Sequence, residues 1–149
     1  MKDFQNVTTA DRVSIYLATK DIFKGLLSEV RELSKKKPDA VMSKGKVSII
    51  NRVLEDLKQI LVDEPEAKFL DLLSDHELPQ TSDAVLVMVQ YETALAEFPN
   101  RYRRSLRIGT TSYGSPNMKM FWITDKFIND YRKVKGDASR LAEVDPEDE

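Results

Sequence analysis

The chain has 149 residues, 41% hydrophobic and 32% charged, with a formal net charge of −2 and no cysteine. That length can bury a sizeable core, and the lack of thiols excludes disulfides, cysteine-ligated metals and cysteine nucleophiles. No stretch approaches the roughly 18 apolar residues of a membrane-spanning helix, and the opening MKDFQNVTTADRVS has no apolar signal core, so a cytoplasmic protein with no membrane partner is expected.

A first helix is expected from Asp11 to Lys36. Val13, Tyr16, Leu17, Phe23, Leu26, Leu27, Val30 and Leu33 recur at helical spacing and form one stripe. Thr8 and Asp11 resemble a capping pair. The lysine run 35–37 suits the negative end of the helix dipole, and Pro38 stops the helix. Such a helix is roughly 39 Å long at 1.5 Å per residue. Phe23, Leu27 and Val30 therefore have two possible uses: packing within the chain, or a self-association face covered by a second copy.

A second helix is expected from Lys44 to Val62, capped by Ser43, with Val47, Ile50, Leu54, Leu57 and Leu61 on its apolar stripe. Its opening SKGKVS resembles a phosphate loop only superficially. Ala40 stands where that loop needs glycine, and Val47 stands where it needs serine or threonine. A third, shorter helix is expected from Pro65 to Ser74, with proline at the first position. A fourth follows a Thr81 or Ser82 cap and reads AVLVMVQYETALAEF. It is apolar almost all round for two turns, as a central helix is.

The stretch SLRIGTTSYGSPNMKMFWIT permits two forms. A hairpin would pair Ser105–Thr111 with Met118–Thr124. A helix would start at Pro116 and place Met120, Ile123, Phe127 and Tyr131 at spacings of three and four. An isolated two-stranded hairpin is marginal in water, which favours the helix. Residues 137–149, DASRLAEVDPEDE, are too charged to pack and are expected to form a disordered acidic tail. The fold expected is all-α: a single compact domain over residues 1–136 with about five or six helices, a short hairpin at 105–124 being the alternative.

Little in the sequence points to bond-breaking chemistry. His76 is the single histidine and lies in the polar stretch LSDHELPQ, where a solvated side chain is the default. No nucleophile elbow surrounds any serine, and no calcium-loop pattern occurs. No metal or cofactor site is expected. An enzyme using carboxylate or hydroxyl chemistry ranks last among the functional classes.

The unusual passage is FPNRYRRSLRIGTTSYGSPNMK. It concentrates Arg101, Arg103, Arg104 and Arg107 with Tyr102, Tyr113 and Lys119. Residues 101–135 hold nine basic and two acidic side chains, between acidic segments at 61–100 and 136–149. Guanidinium forks grip carboxylate or phosphate through paired hydrogen bonds, and tyrosine rings can stack on bases. The cluster thus suits acids of the same chain, an acidic partner, or a phosphate-bearing ligand such as a nucleotide or single-stranded nucleic acid. The acidic overall balance argues against a dedicated nucleic-acid binder. The function expected is a non-enzymatic helical interaction module: an adaptor, regulator or assembly subunit with a protein partner or a second copy of itself. The alternative is a phosphate-ligand binder.

Overall fold

The computed structural model describes residues 4–141. In chain order the elements are α1 (Ala10–Lys36), α2 (Lys44–Ile60), a 3-10 turn (Pro65–Phe69), α3 (Thr81–Tyr102), β1 (Arg103–Thr110), β2 (Pro116–Trp122) and α4 (Asp125–Leu141). The all-α expectation of five or six helices is therefore corrected: the described residues form four α-helices and a two-stranded antiparallel hairpin. Part of the acidic segment 137–149 continues α4, and residues 142–149 lie outside the described residues. No helix among the described residues is long and apolar enough to cross a membrane.

The chain divides into two compact units, residues 14–98 and residues 1–13 with 99–149. In the first, the stripes of α1, α2 and α3 meet in a core that includes Phe23, Leu27, Val30, Leu54, Leu57, Met88 and Tyr91. Burying such side chains contributes about 1.5–3 kcal/mol each. Ser43 caps α2, its hydroxyl accepting from the Lys46 N–H at 3.2 Å. Arg31 on α1 grips Glu92 on α3 with two hydrogen bonds, 2.9 and 3.3 Å. Thr81 is not a cap; its hydroxyl donates to the carbonyls of Lys37 and Pro38, at 2.6 and 3.0 Å. That tie fixes the turn after α1 to the start of α3.

The helix expected over Pro65–Ser74 shortens to the 3-10 turn. Its apolar residues behave as an extended segment: Leu70 and Leu73 are buried, whereas Phe69 and Leu72 are exposed. The cause lies on α2. The Asn51 amide donates to the Leu73 carbonyl at 2.8 Å and accepts from the Leu73 N–H at 2.9 Å. Those backbone groups are thereby satisfied without a helix.

Tyr91 is the largest fully buried side chain of this unit. Its hydroxyl donates to the Asp71 carbonyl at 2.8 Å. Burial, with a smaller contribution from the Asp71 charge, pushes its pKa up to about 12 from 10.0. The phenol is neutral when protonated, so its stabilisation is intact below pH 10 and is lost as pH rises toward 12. The difference between the ultraviolet titrations of the wild type and Tyr91→Phe should show one phenolate forming near pH 12. A difference curve centred at 10 would mean that this ring is reached by water.

In the second unit, residues 7–9 run beside residues 123–125. The Thr8 N–H donates to the Ile123 carbonyl at 3.0 Å and the Asp125 N–H to the Thr8 carbonyl at 3.1 Å. The cap of α1 is Thr9 rather than Thr8, its hydroxyl accepting from the Arg12 N–H at 3.1 Å; Thr8 is buried in the pairing instead. Thr124 caps α4 in the same way, accepting from the Phe127 N–H at 3.0 Å. Phe4, Phe121, Phe127 and Tyr131 form an aromatic cluster with ring centroids 5.1–5.9 Å apart. This cluster covers the base of the hairpin. It supplies the apolar support that a free two-stranded ribbon lacks, which is why the hairpin prevails over the helix expected from Pro116.

Candidate functional site

The passage rich in arginine and tyrosine forms the end of α3 and the hairpin. β1 pairs with β2 in the register Arg103 with Trp122, Arg104 with Phe121, Ser105 with Met120, Leu106 with Lys119 and Arg107 with Met118. A bulge follows between Arg107 and Gly109. Gly109 and Gly114 both have positive φ, at 148° and 84°. These are conformations that side chains with a Cβ rarely adopt. The turn closes with the Thr111 N–H donating to the Ser115 carbonyl at 2.8 Å and the Gly114 N–H to the Thr111 carbonyl at 3.0 Å.

Side chains of directly opposed residues share a face, and successive residues alternate. One face therefore carries Arg103, Ser105 and Arg107 with Trp122, Met120 and Met118. The other carries Arg104 and Leu106 with Phe121 and Lys119. The second face is the one turned to the aromatic cluster: Phe121 lies 5.1 Å from Phe127, and the Arg104 guanidinium lies 5.9 Å from the Phe4 ring. Lys119 sits 5.5 Å from the Phe121 ring.

The three strand arginines, Arg103, Arg104 and Arg107, thus do not converge. Arg101 and Tyr102 end α3 and are half-buried, with the Tyr102 carbonyl accepting from the Ile123 N–H at 2.7 Å. Arg104 turns to the supported face. Arg103 and Arg107 share the other. The Arg103 guanidinium rests 5.4 Å from the Trp122 ring centroid, a cation–π geometry worth about 0.5–1 kcal/mol at an exposed site. Arg107 is held by its own hairpin, donating to the Gly109 carbonyl at 3.3 Å and to the Thr110 hydroxyl at 2.9 Å. Among the described residues no carboxylate lies within ion-pairing distance of Arg103, Arg104, Arg107 or Lys119.

From Arg107 to Met120 every residue but Thr111 is exposed. Met118 and Met120 are each about half accessible, and Tyr113 at the turn is 96% exposed. The distal hairpin is an arm wet on both sides, and the outer face runs from half-buried Trp122 beside Arg103 at the base to exposed Met120, Met118 and Arg107. Trp122, Met118 and Met120 were not expected in the site. Their signal was present as the alternation of Met118, Met120 and Trp122, which has the period of a strand. Of the two uses open to Phe23, Leu27 and Val30, packing within the chain and a self-association face, their burial in the core of the 14–98 unit fits the first.

His76 is 96% exposed, with its imidazole 3.4 Å from the Asp75 carboxylate. Among the described residues no group of three or more histidine, cysteine or acidic side chains could hold a metal ion. No protein-family model matches the chain, and no curated protein or solved structure matches it either.

Proposed function

We propose that the chain is a non-enzymatic interaction module that docks a protein partner on the outer face of its hairpin arm. The observation that carries this is the composition of that face, exposed at Met118, Met120, Arg103 and Arg107 and half-buried at Trp122. Tryptophan, methionine and arginine are the residues enriched in protein–protein contacts, and lysine and acidic residues, which such contacts avoid, do not occur on it. Methionine adapts its shape to an apolar partner surface. Two fixed guanidinium groups beside the apolar centre select carboxylates next to it. Two-fold pairing of one arm with another would bring no carboxylate to Arg103 and Arg107, because no acidic residue stands on that face. The geometry therefore favours a different protein, with an apolar centre and an acidic edge.

The separation of the arginines weakens the alternative of a phosphate ligand. A clamp of four arginines on single-stranded nucleic acid would give a log–log salt slope near −2.8, at about −0.7 per phosphate contact. The outer face offers two, which lowers the expected slope to about −1.4. The test is affinity purification of the full chain beside its Met118→Asp/Met120→Asp variant. Both positions are exposed, so the variant should keep the wild-type unfolding midpoint. A protein retained by the wild type should be lost by the variant, with affinity falling at least about tenfold, as when interface anchors are truncated. Equal retention would reject the arm as the docking face. Saturable binding of oligo-dT or oligo-U with a slope near −1.4 would hand the site to nucleic acid.

A further inference from the structure

The 14–98 unit carries a second feature that the hairpin does not explain. Two adjoining hollows, of about 340 and 240 Å³, lie between the C-terminal half of α1 and the start of α2 and share Leu33, Met42 and Lys46. Together they make one trough. Its floor is apolar: Val30, Met42 and Ile50 are buried there, and Leu26 and Leu33 are half-buried. Ile49, 54% exposed, forms a wall, and Val41, 63% exposed, stands at one end. Lys36 and Lys37 stand at that end, and Lys46 lies where the two hollows join. Glu29 lies at the other end. None of these three lysines has an acid within ion-pairing distance among the described residues.

We infer that this trough is a docking groove for an acidic amphipathic helix of a partner protein. The apolar floor calls for an apolar stripe. The three unpaired lysines, two at one end and one midway, call for carboxylates beside that stripe, since opposite charges that meet at a rim steer encounter and fix register. The occupant must also satisfy its own backbone. The walls are side chains of α1 and α2, whose peptide groups are bonded within the helices, and the connecting residues Ala40–Met42, whose Ala40 carbonyl and Met42 N–H already pair with Thr81 and Pro79, so an extended peptide would find little ladder to join. A helix brings its hydrogen bonds with it and reads as anchors at i, i+3 or i+4, and i+7. From Leu26 to Lys36 along α1 the trough is about 15 Å long at 1.5 Å per residue, or about three turns of ligand. Lys36 and Lys37, just before Pro38, then do more than close a helix end.

The test uses the full chain, labelled with nitrogen-15, and two synthetic helical peptides. Both carry the same leucine stripe; one has glutamates beside it and the other has lysines in the same places. The acidic peptide should shift amide resonances between Leu26 and Ile50 saturably, and the basic peptide should bind at least about tenfold more weakly. Lys36→Glu/Lys37→Glu/Lys46→Glu should reverse that order, and Ile49→Glu should abolish binding of both. All four positions are exposed, and circular dichroism should show both variants folded. If Ile49→Glu unfolds, the charge reversal alone decides. No saturable shift with the acidic peptide up to about 1 mM, a free energy of about −4 kcal/mol, would overturn the inference, as would equal affinity for the two peptides. Shifts at the same amides from phosphatidylserine vesicles, with none from the peptide, would also overturn it and assign the trough to a lipid surface. The hairpin amides are read in the same spectra, so failure here and failure of the arm are separate results.

Discussion

Tyr91→Ala should lower the unfolding free energy by about 3–5 kcal/mol, the range for emptying a fully buried aromatic site. Tyr91 has no exposed surface, lies 6.3 Å from the Phe23 ring and donates its hydroxyl to the Asp71 carbonyl. The alanine variant loses the ring, leaves a cavity between α1 and α3, and removes the donor. Tyr91→Phe keeps the ring and loses only the hydrogen bond, at about 1 kcal/mol. Urea unfolding separates the two: the midpoint should fall far for alanine and little for phenylalanine, with the slope unchanged if the unfolded state is unaffected. Native domains are stable by only about 5–15 kcal/mol, so the alanine variant should also unfold well below the wild-type temperature. A loss below about 1 kcal/mol for alanine would mean that α1 and α3 do not meet around this ring. The same ring carries the late-titrating phenol, so the two measurements check one placement by independent routes.

How far the sequence reveals this structure depends on where each element finds its partners. The long helices are legible because their information is local. The stripes of α1 and α2, the Ser43 cap and the Pro38 stop all lie within the elements they define, and the observed bounds, Ala10–Lys36 and Lys44–Ile60, fall within two residues of those expected. The hairpin is less legible. Its alternation of Met118, Met120 and Trp122 and its glycine-bearing turn are plain, but a two-stranded ribbon needs a surface to rest on. Phe4, which meets Phe127 and Tyr131 at the base, is more than one hundred residues away in sequence. The division of the arginines between two faces follows from the register alone, so it could not be read while helix and hairpin were both open. The apolar trough was hidden for another reason: its lysines have a sufficient local explanation as a helix terminus, and only the nearness of Ile49 and Met42 gives them a second role.

Asn51→Ala should cost about 2–4 kcal/mol, because it strands two backbone groups at once. The Leu73 N–H and carbonyl both pair with the Asn51 side chain, and Leu73 is buried. Each buried group left without a partner costs about 1–3 kcal/mol. Asn51→Asp divides the pair. An ionised carboxylate still accepts from the Leu73 N–H but has nothing to donate, and its charge faces a carbonyl oxygen. The aspartate variant should therefore be less stable than the wild type at neutral pH. The deficit should narrow as the pH falls and the carboxyl gains a proton that it can donate. Urea midpoints of the three proteins across this pH range measure the effect. The outcome bears on the segment Pro65–Ser74, which its sequence alone presents as helical. In a helix the Leu73 N–H would bond to the Phe69 carbonyl and Asn51 would be dispensable. A loss below about 0.5 kcal/mol in Asn51→Ala would restore that helix, whereas a loss of several kcal/mol requires the extended segment that turns Leu70 and Leu73 inward.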